Sequence, residues 1–111
     1  MREKVRYAVV EVLPCDDLNF NKEEVFDEIK SSVLKLFGLS GLSEAKLWMI
    51  NNSWNKNMGI IKVDRTFINK FKASVLTIKE INKKKASVRT LKVSGTLKKA
   101  KSFLNEYKRR L

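Results

Sequence analysis

The chain contains no histidine. That absence removes imidazole general bases, Ser-His and Cys-His nucleophile pairs, and histidine-ligated zinc or haem, and with them most hydrolase mechanisms. Cysteine is nearly as scarce: Cys15 stands alone. It can form neither an intramolecular disulfide nor a cysteine-only metal site, and a lone thiol suits a reducing compartment. One proline and four glycines leave the chain too regular for low-complexity sequence. No apolar run approaches the roughly 18 residues of a membrane span. The charged start and apolar stretch leading to Cys15 have the outline of a lipoprotein signal, but Glu11 interrupts the stretch and Pro14 precedes the cysteine. A cytoplasmic protein without a membrane partner is expected.

What remains is 111 residues, 43% hydrophobic and 32% charged, which suits one small core rather than two. Val5 to Leu13 is apolar on both parities and predicts a central strand. Asn21-Lys22-Glu23-Glu24 has the form of a capping box, and Val25, Phe26, Ile29, Val33 and Leu36 recur at helical spacing up to Gly38. The acids of that helix sit in its early turns, where its dipole favours them. Residues 38–43 read as a linker. Ala45 to Ile50 and Gly59 to Val63 read as strands joined by the polar loop Asn51 to Met58. Asp64 can cap a helix carrying Phe67, Ile68, Phe71, Val75 and Ile78, followed by a turn at Asn82 to Lys85. Ala86 to Val93 reads as a strand, and Ser94-Gly95-Thr96 opens a last helix with Leu97, Ala100, Phe103, Leu104 and Tyr107 on one side. The order βαββαβ plus a helix predicts an α+β, RRM-like or ferredoxin-like antiparallel sheet, one domain over 1–111. That plan hosts many functions.

The charge is what narrows them. The chain carries 24 Lys plus Arg against 12 Asp plus Glu, net +12. Residues 1–78 hold 12 basic and 10 acidic residues, whereas 79–111 hold 12 basic and 2 acidic. Such a basic third displaces counterions from a polyanion, so nucleic acid is the expected partner. Solvated charge on a helix face is the plainer account of any single run. Ser94-Gly95-Thr96 at a helix start offers free amides to a phosphate, with Lys98 and Lys99 one turn on, or serves as an ordinary N-cap. It lacks the spacing of a Walker A loop. Tyr7 is the only ring offered by the two central strands, so base stacking across the sheet is not expected. Trp48 is expected to be packed. Trp54, in a polar loop, is expected to anchor a protein partner, with folding back on its own hairpin as the alternative. Glu11, Asp16 and Asp17 are the only clustered carboxylates outside the first helix, and two acids in one turn make no defined metal cage. No catalytic, metal or cofactor site is expected on the chain.

With these segments in place, the sequence resembles the archaeal ribonuclease P protein component 2 family, relatives of a small eukaryotic ribonuclease P and MRP subunit. The resemblance rests on Arg6-Tyr7-Ala8-Val9-Val10-Glu11-Val12, on Gly59-Ile60-Ile61-Lys62-Val63-Asp64-Arg65, and most specifically on Arg89-Thr90-Leu91-Lys92-Val93-Ser94-Gly95-Thr96-Leu97-Lys98. Lys62 stands where an arginine is common, and the acidic tail of eukaryotic relatives is missing. The resemblance implies an RNA-binding subunit that pairs with the barrel-shaped protein component 3. It also implies that, with other ribonuclease P proteins, the pair supports a ribonuclease P RNA that cuts precursor tRNA at its 5' end with Mg2+ at the RNA active site. By motif, Arg89, Lys92, Ser94, Gly95, Thr96 and Lys98 are the expected RNA contacts, with Lys99 and Lys101 added by charge. A ribosomal or other basic nucleic-acid-binding structural protein is the alternative, and a metabolite-sensing or structural module of the same fold the more distant one.

Overall fold

A computed structural model describes residues 4–14, 19–50 and 52–110. Cys15, Asp16 and Asp17 lie outside the described residues. The chain runs β1 (Val5–Pro14), α1 (Lys22–Ala45), β2 (Trp48–Met49), β3 (Met58–Asp64), a 3-10 turn (Arg65–Phe67), α2 (Ile68–Leu76), β4 (Glu80–Ile81), β5 (Lys84–Ser94) and α3 (Leu97–Arg109). The sheet order is β2-β3-β1-β5-β4 with every pairing antiparallel. This is the expected βαββαβ plan, extended by the short strand β4 and the terminal helix.

β1 is central because both of its faces are covered. Ala8, Val10 and Val12 join Ile61, Val63, Phe67 and Phe71 in the larger core, under α1 and α2. Val9 faces the other way, into a second cluster with Met58, Ile60, Ala100 and Leu104 beneath α3. Ala8, Val9 and Val10 are all fully buried, which is why this strand reads as continuously apolar instead of alternating.

α1 begins as its sequence specifies: Glu24 N donates to Asn21 Oδ1 at 2.8 Å and Asn21 N to Glu24 Oε2 at 3.1 Å, a complete capping box. Gly38 breaks it at φ 72°, ψ −174°, a conformation that only glycine adopts cheaply. Residues 39–43, expected to be a linker, are helical instead. The segment resumes after the break because Leu42 and Ala45 have core to pack on, and it ends at Lys46 in the left-handed region. The following strand is consequently two residues long, not six.

Two further departures have geometric causes. Asn82 and Lys83 both adopt positive φ, 53° and 67°, the two-residue hairpin turn that matches strand twist. Lys84 and Lys85, expected in that turn, therefore pair in the ladder with Ile81 and Glu80. In β5 the register against β1 slips between Val9↔Lys92 and Val10↔Thr90, leaving Leu91 as an extra residue. This bulge inverts the parity of the strand: Ala86, Val88 and Val93 all meet the larger core, while Leu91 meets the cluster under α3.

Candidate nucleic-acid interface

α3 lies across the sheet face that an RRM leaves open for bases. Leu97, Phe103 and Tyr107 pack with Ala100 and Leu104 onto Val9, Ile60, Tyr7 and Leu91, and the Phe103 and Tyr107 rings stack at 5.9 Å. Tyr7 belongs to this packing, so the sheet presents no stacking platform. The apolar face of α3 is used up inward. Lys98, Lys99 and Lys101 consequently stand on its exposed side, and none of them forms an ion pair among the described residues.

The turn that starts α3 uses its hydroxyls internally. Thr96 is the N-cap, its Oγ1 accepting from Lys99 N at 3.2 Å. Ser94 Oγ donates to Thr96 O at 3.1 Å and accepts from Thr96 N at 3.3 Å. Ser94, an expected RNA contact, is 5% exposed, and its hydroxyl holds the turn. Gly95 and Thr96 are exposed, and a Cβ on Gly95 would meet nothing within 4 Å. The first helical amides, those of Leu97 and Lys98, have no carbonyl one turn earlier to bond. The surface here is open backbone beside two lysines.

Arg89 is also committed within the chain. It sits opposite Glu11 in the ladder, its Nε donating to Glu11 Oε1 at 2.8 Å and its Nη2 lying 2.7 Å from the same oxygen. Nη2 also donates to Tyr107 Oη at 3.1 Å. The Glu11 hydrogen bond pushes the guanidinium pKa above its ordinary value. Arg89, an expected RNA contact, is thus also a brace between sheet and α3, with its side chain still 49% exposed. Glu11, once a candidate chelator beside Asp16 and Asp17, neutralises it. Among the described residues no group of three or more acidic, cysteine or histidine side chains gathers around a metal-sized space. Lys92 is exposed, next to the bulge.

The structure divides the basic third. Lys83, Lys84 and Lys85 lie at the start of β5, about 30 Å of extended strand from Ser94, and Lys84 Nζ sits over the Phe20 ring at 5.9 Å. The cations gathered at the α3 start come instead from parts of the sequence whose charge is nearly balanced: Lys4, Arg6 and Arg65 line a cleft with Gly95 and Thr96. Charge counting missed them because Glu and Asp of α1 cancel them in the sum but not in space. At the other end of α3, burial, with Lys56 nearby, lowers the Lys108 pKa.

The two tryptophans exchange their expected places. Trp54 folds back onto its hairpin, donating from Nε1 to Phe20 O at 2.8 Å and packing against the larger core. Gly59 leaves it room, since a Cβ there would lie 2.6 Å from Trp54 Cε3. Of the two readings of Trp54, the structure shows the fold-back onto its own hairpin. Trp48, on the edge strand β2, is 57% exposed beside Phe26 and Met49.

Comparison with known proteins decides the lineage. A family model described as the Rpp14/Pop5 family matches residues 6–105. The chain belongs to the Rpp14/Pop5 family. Curated relatives of this chain include ribonuclease P protein component 2 of Pyrococcus horikoshii, 35% identical over 96% of this chain and 88% of the relative. Ribonuclease P protein component 2 of Methanocaldococcus jannaschii is 34% identical over 91% and 72%. In fold, the chain is similar to one in a cryo-EM structure of yeast ribonuclease MRP, with a TM-score of 0.71 at 10% identity over 99% of this chain and 92% of that one. Within the Rpp14/Pop5 match fall nearly all of β1, all of β3, the Ser94-Gly95-Thr96 turn and α3 up to Asn105. No helix among the described residues is long and apolar enough to cross a membrane.

Proposed function

We infer that this chain is the protein component 2 subunit of a ribonuclease P ribonucleoprotein, an RNA-binding protein that supports a catalytic RNA in the 5' maturation of precursor tRNA. One observation carries the RNA-binding part of the reading. α3 begins with two exposed lysines, Lys98 and Lys99, and no acid in its first turn. That arrangement opposes the helix dipole, at a cost of about 0.3–1 kcal/mol for each such charge. α1 follows the stable rule, with Glu23 and Glu24 in its first turn. A local choice that runs against stability belongs to a site, and cations grouped with free helix amides form a site for phosphate.

The chemistry follows from electrostatics. A catalytic RNA must bring its own phosphates together, and diffuse cations otherwise screen their repulsion. A rigid protein surface carrying Lys98, Lys99 and Lys101 replaces part of that screening and releases counterions as it binds. The Mg2+ of the reaction belongs to the RNA, and the barrel-shaped protein component 3 is the protein partner. A cytoplasmic setting accords with the single thiol.

The test is reconstitution. The protein together with the component 3 homologue, the other ribonuclease P proteins and the cognate RNA should raise precursor tRNA cleavage most at limiting Mg2+, with the gain shrinking as Mg2+ rises. Folded cognate RNA should outcompete duplex DNA for the protein. Equal competition by duplex DNA together with no stimulation would instead place the chain among general basic nucleic-acid-binding proteins.

A further inference from the structure

The end of the sheet where β1 starts holds a cleft of about 540 Å3 lined by Lys4, Arg6, Tyr7, Arg65, Gly95 and Thr96. Pairing holds its walls in place. Arg65 N donates to Lys4 O at 2.9 Å, Val5 lies opposite Asp64, and Tyr7 lies opposite Ser94. Three cations from two strand ends are thereby fixed around one space, beside the positive end of α3.

Among the described residues no carboxylate lines this cleft. Asp64, next to Arg65 in sequence and near enough to feel its charge, turns to Thr66, accepting from its amide at 3.0 Å and from its hydroxyl. Arg6 Nη1 donates to Val5 O at 3.0 Å, and neither Lys4, Arg6 nor Arg65 forms an ion pair among the described residues. Like charges held together with no ion pair among the described residues raise the local potential, and an anion entering the space relieves it. The cleft is far larger than a single phosphate and reaches Leu97, the first residue of α3. A passing polyanion strand fits that shape better than a lone ion.

We propose that the Lys4, Arg6 and Arg65 cleft seats backbone phosphodiesters of the bound RNA, extending the interface from α3 to the start of β1. This rests on the RNA-binding reading above and adds to it a site outside the basic third.

The experiment measures affinity for the cognate RNA against salt for the full chain and for Arg6→Gln with Arg65→Gln. Two lost phosphate contacts should lower the slope of log affinity on log salt by roughly 1.4 to 1.8, and Arg6→Lys with Arg65→Lys should restore it. A control of equal charge, Lys35→Gln with Lys72→Gln on α1 and α2, should leave the slope unchanged. Gly95→Ala, whose Cβ meets nothing in the chain, should weaken binding several-fold with unaltered slope and unaltered thermal stability. If the natural chain binds RNA but the double arginine variant behaves as the lysine control does, the cleft lies off the RNA path and this proposal falls while the RNA-binding reading stands. If the natural chain binds no RNA, both fall. A titration with inorganic phosphate alone, followed at the Gly95 and Thr96 amide resonances, separates the remaining source. Saturation at micromolar phosphate with no effect of the arginine variants on the RNA slope would make this a free-anion site and overturn the proposal.

Discussion

Glu11 and Arg89 face each other across β1 and β5, 2.7 Å apart between Oε1 and Nη2, and the acid is only 7% exposed. Tyr107 of α3 closes the group through its hydroxyl. Removing the arginine leaves a largely buried carboxylate unpaired, and reversing it sets two acids directly opposite in a ladder. Arg89→Ala should cost about 2–3 kcal/mol of stability, and Arg89→Glu more. The exchange Glu11→Arg with Arg89→Glu should recover part of the loss. Urea unfolding of the two single variants and the exchange measures the coupling, and strict additivity would show that the pair is incidental.

Arg89 therefore makes a poor probe of RNA contact, since its loss loosens α3. Lys98, Lys99 and Lys101 make a clean one. Replacing all three by Ala should leave the thermal midpoint within a few degrees of the natural value and lower the salt slope of RNA affinity by roughly 2 to 3. An unchanged slope would move the interface off this helix.

The tryptophans should separate by stability. Trp54→Ala removes a ring packed on the core together with its hydrogen bond to Phe20, at about 3 kcal/mol. Gly59→Ala should also destabilise by pressing on that ring. Trp48→Ala, on an exposed edge, should fall within about 0.5 kcal/mol of the natural chain. Denaturant midpoints of the three variants check this order.

Below neutral pH, the response of stability should be set by two carboxylates. The Asn82 side chain, then the Asn21 amide, hold the Glu24 pKa below its ordinary value, and the Thr66 hydroxyl does the same for Asp64. A carboxylate with a depressed folded pKa contributes its stability above the unfolded pKa and loses it as pH falls through the folded one. Stability should therefore begin to drop below about pH 4.5, and Glu24→Gln should shrink the drop. With no histidine, RNA affinity should stay nearly flat from about pH 6 to 8 at constant salt. A tenfold change in that window would show a strongly displaced titrating group at the interface.

Some of this molecule is legible in one dimension. The Asn21 to Glu24 cap and the 3.6-residue recurrence after it are local, and so is the two-sided apolarity of β1. Other features depend on partners distant in sequence. The apolar stripe of α3 shows that the helix must land on something, but only the third dimension shows that it lands on Val9 and Ile60. The Leu91 bulge is a mismatch between two strands and has no signature in either alone. Trp48 and Trp54 differ in burial because one lies on the edge strand and the other turns inward beside Gly59. Lys4, Arg6 and Arg65 were invisible to charge counting for the reason that they become interesting: the acids that balance them in the sum lie elsewhere in space.

By laying its own C-terminal helix over the sheet, the chain gives up the alphabet. Side chains that would otherwise lie under a row of bases are shut beneath Phe103 and Leu104, so on the proposed reading the surface near α3 should register where phosphates run and not which letters they connect. Such a subunit should tolerate drift in the sequence of its RNA as long as the helices keep their course. Compensatory base-pair exchanges in the bound RNA should pass unnoticed, whereas a one-nucleotide bulge that bends the backbone path should not.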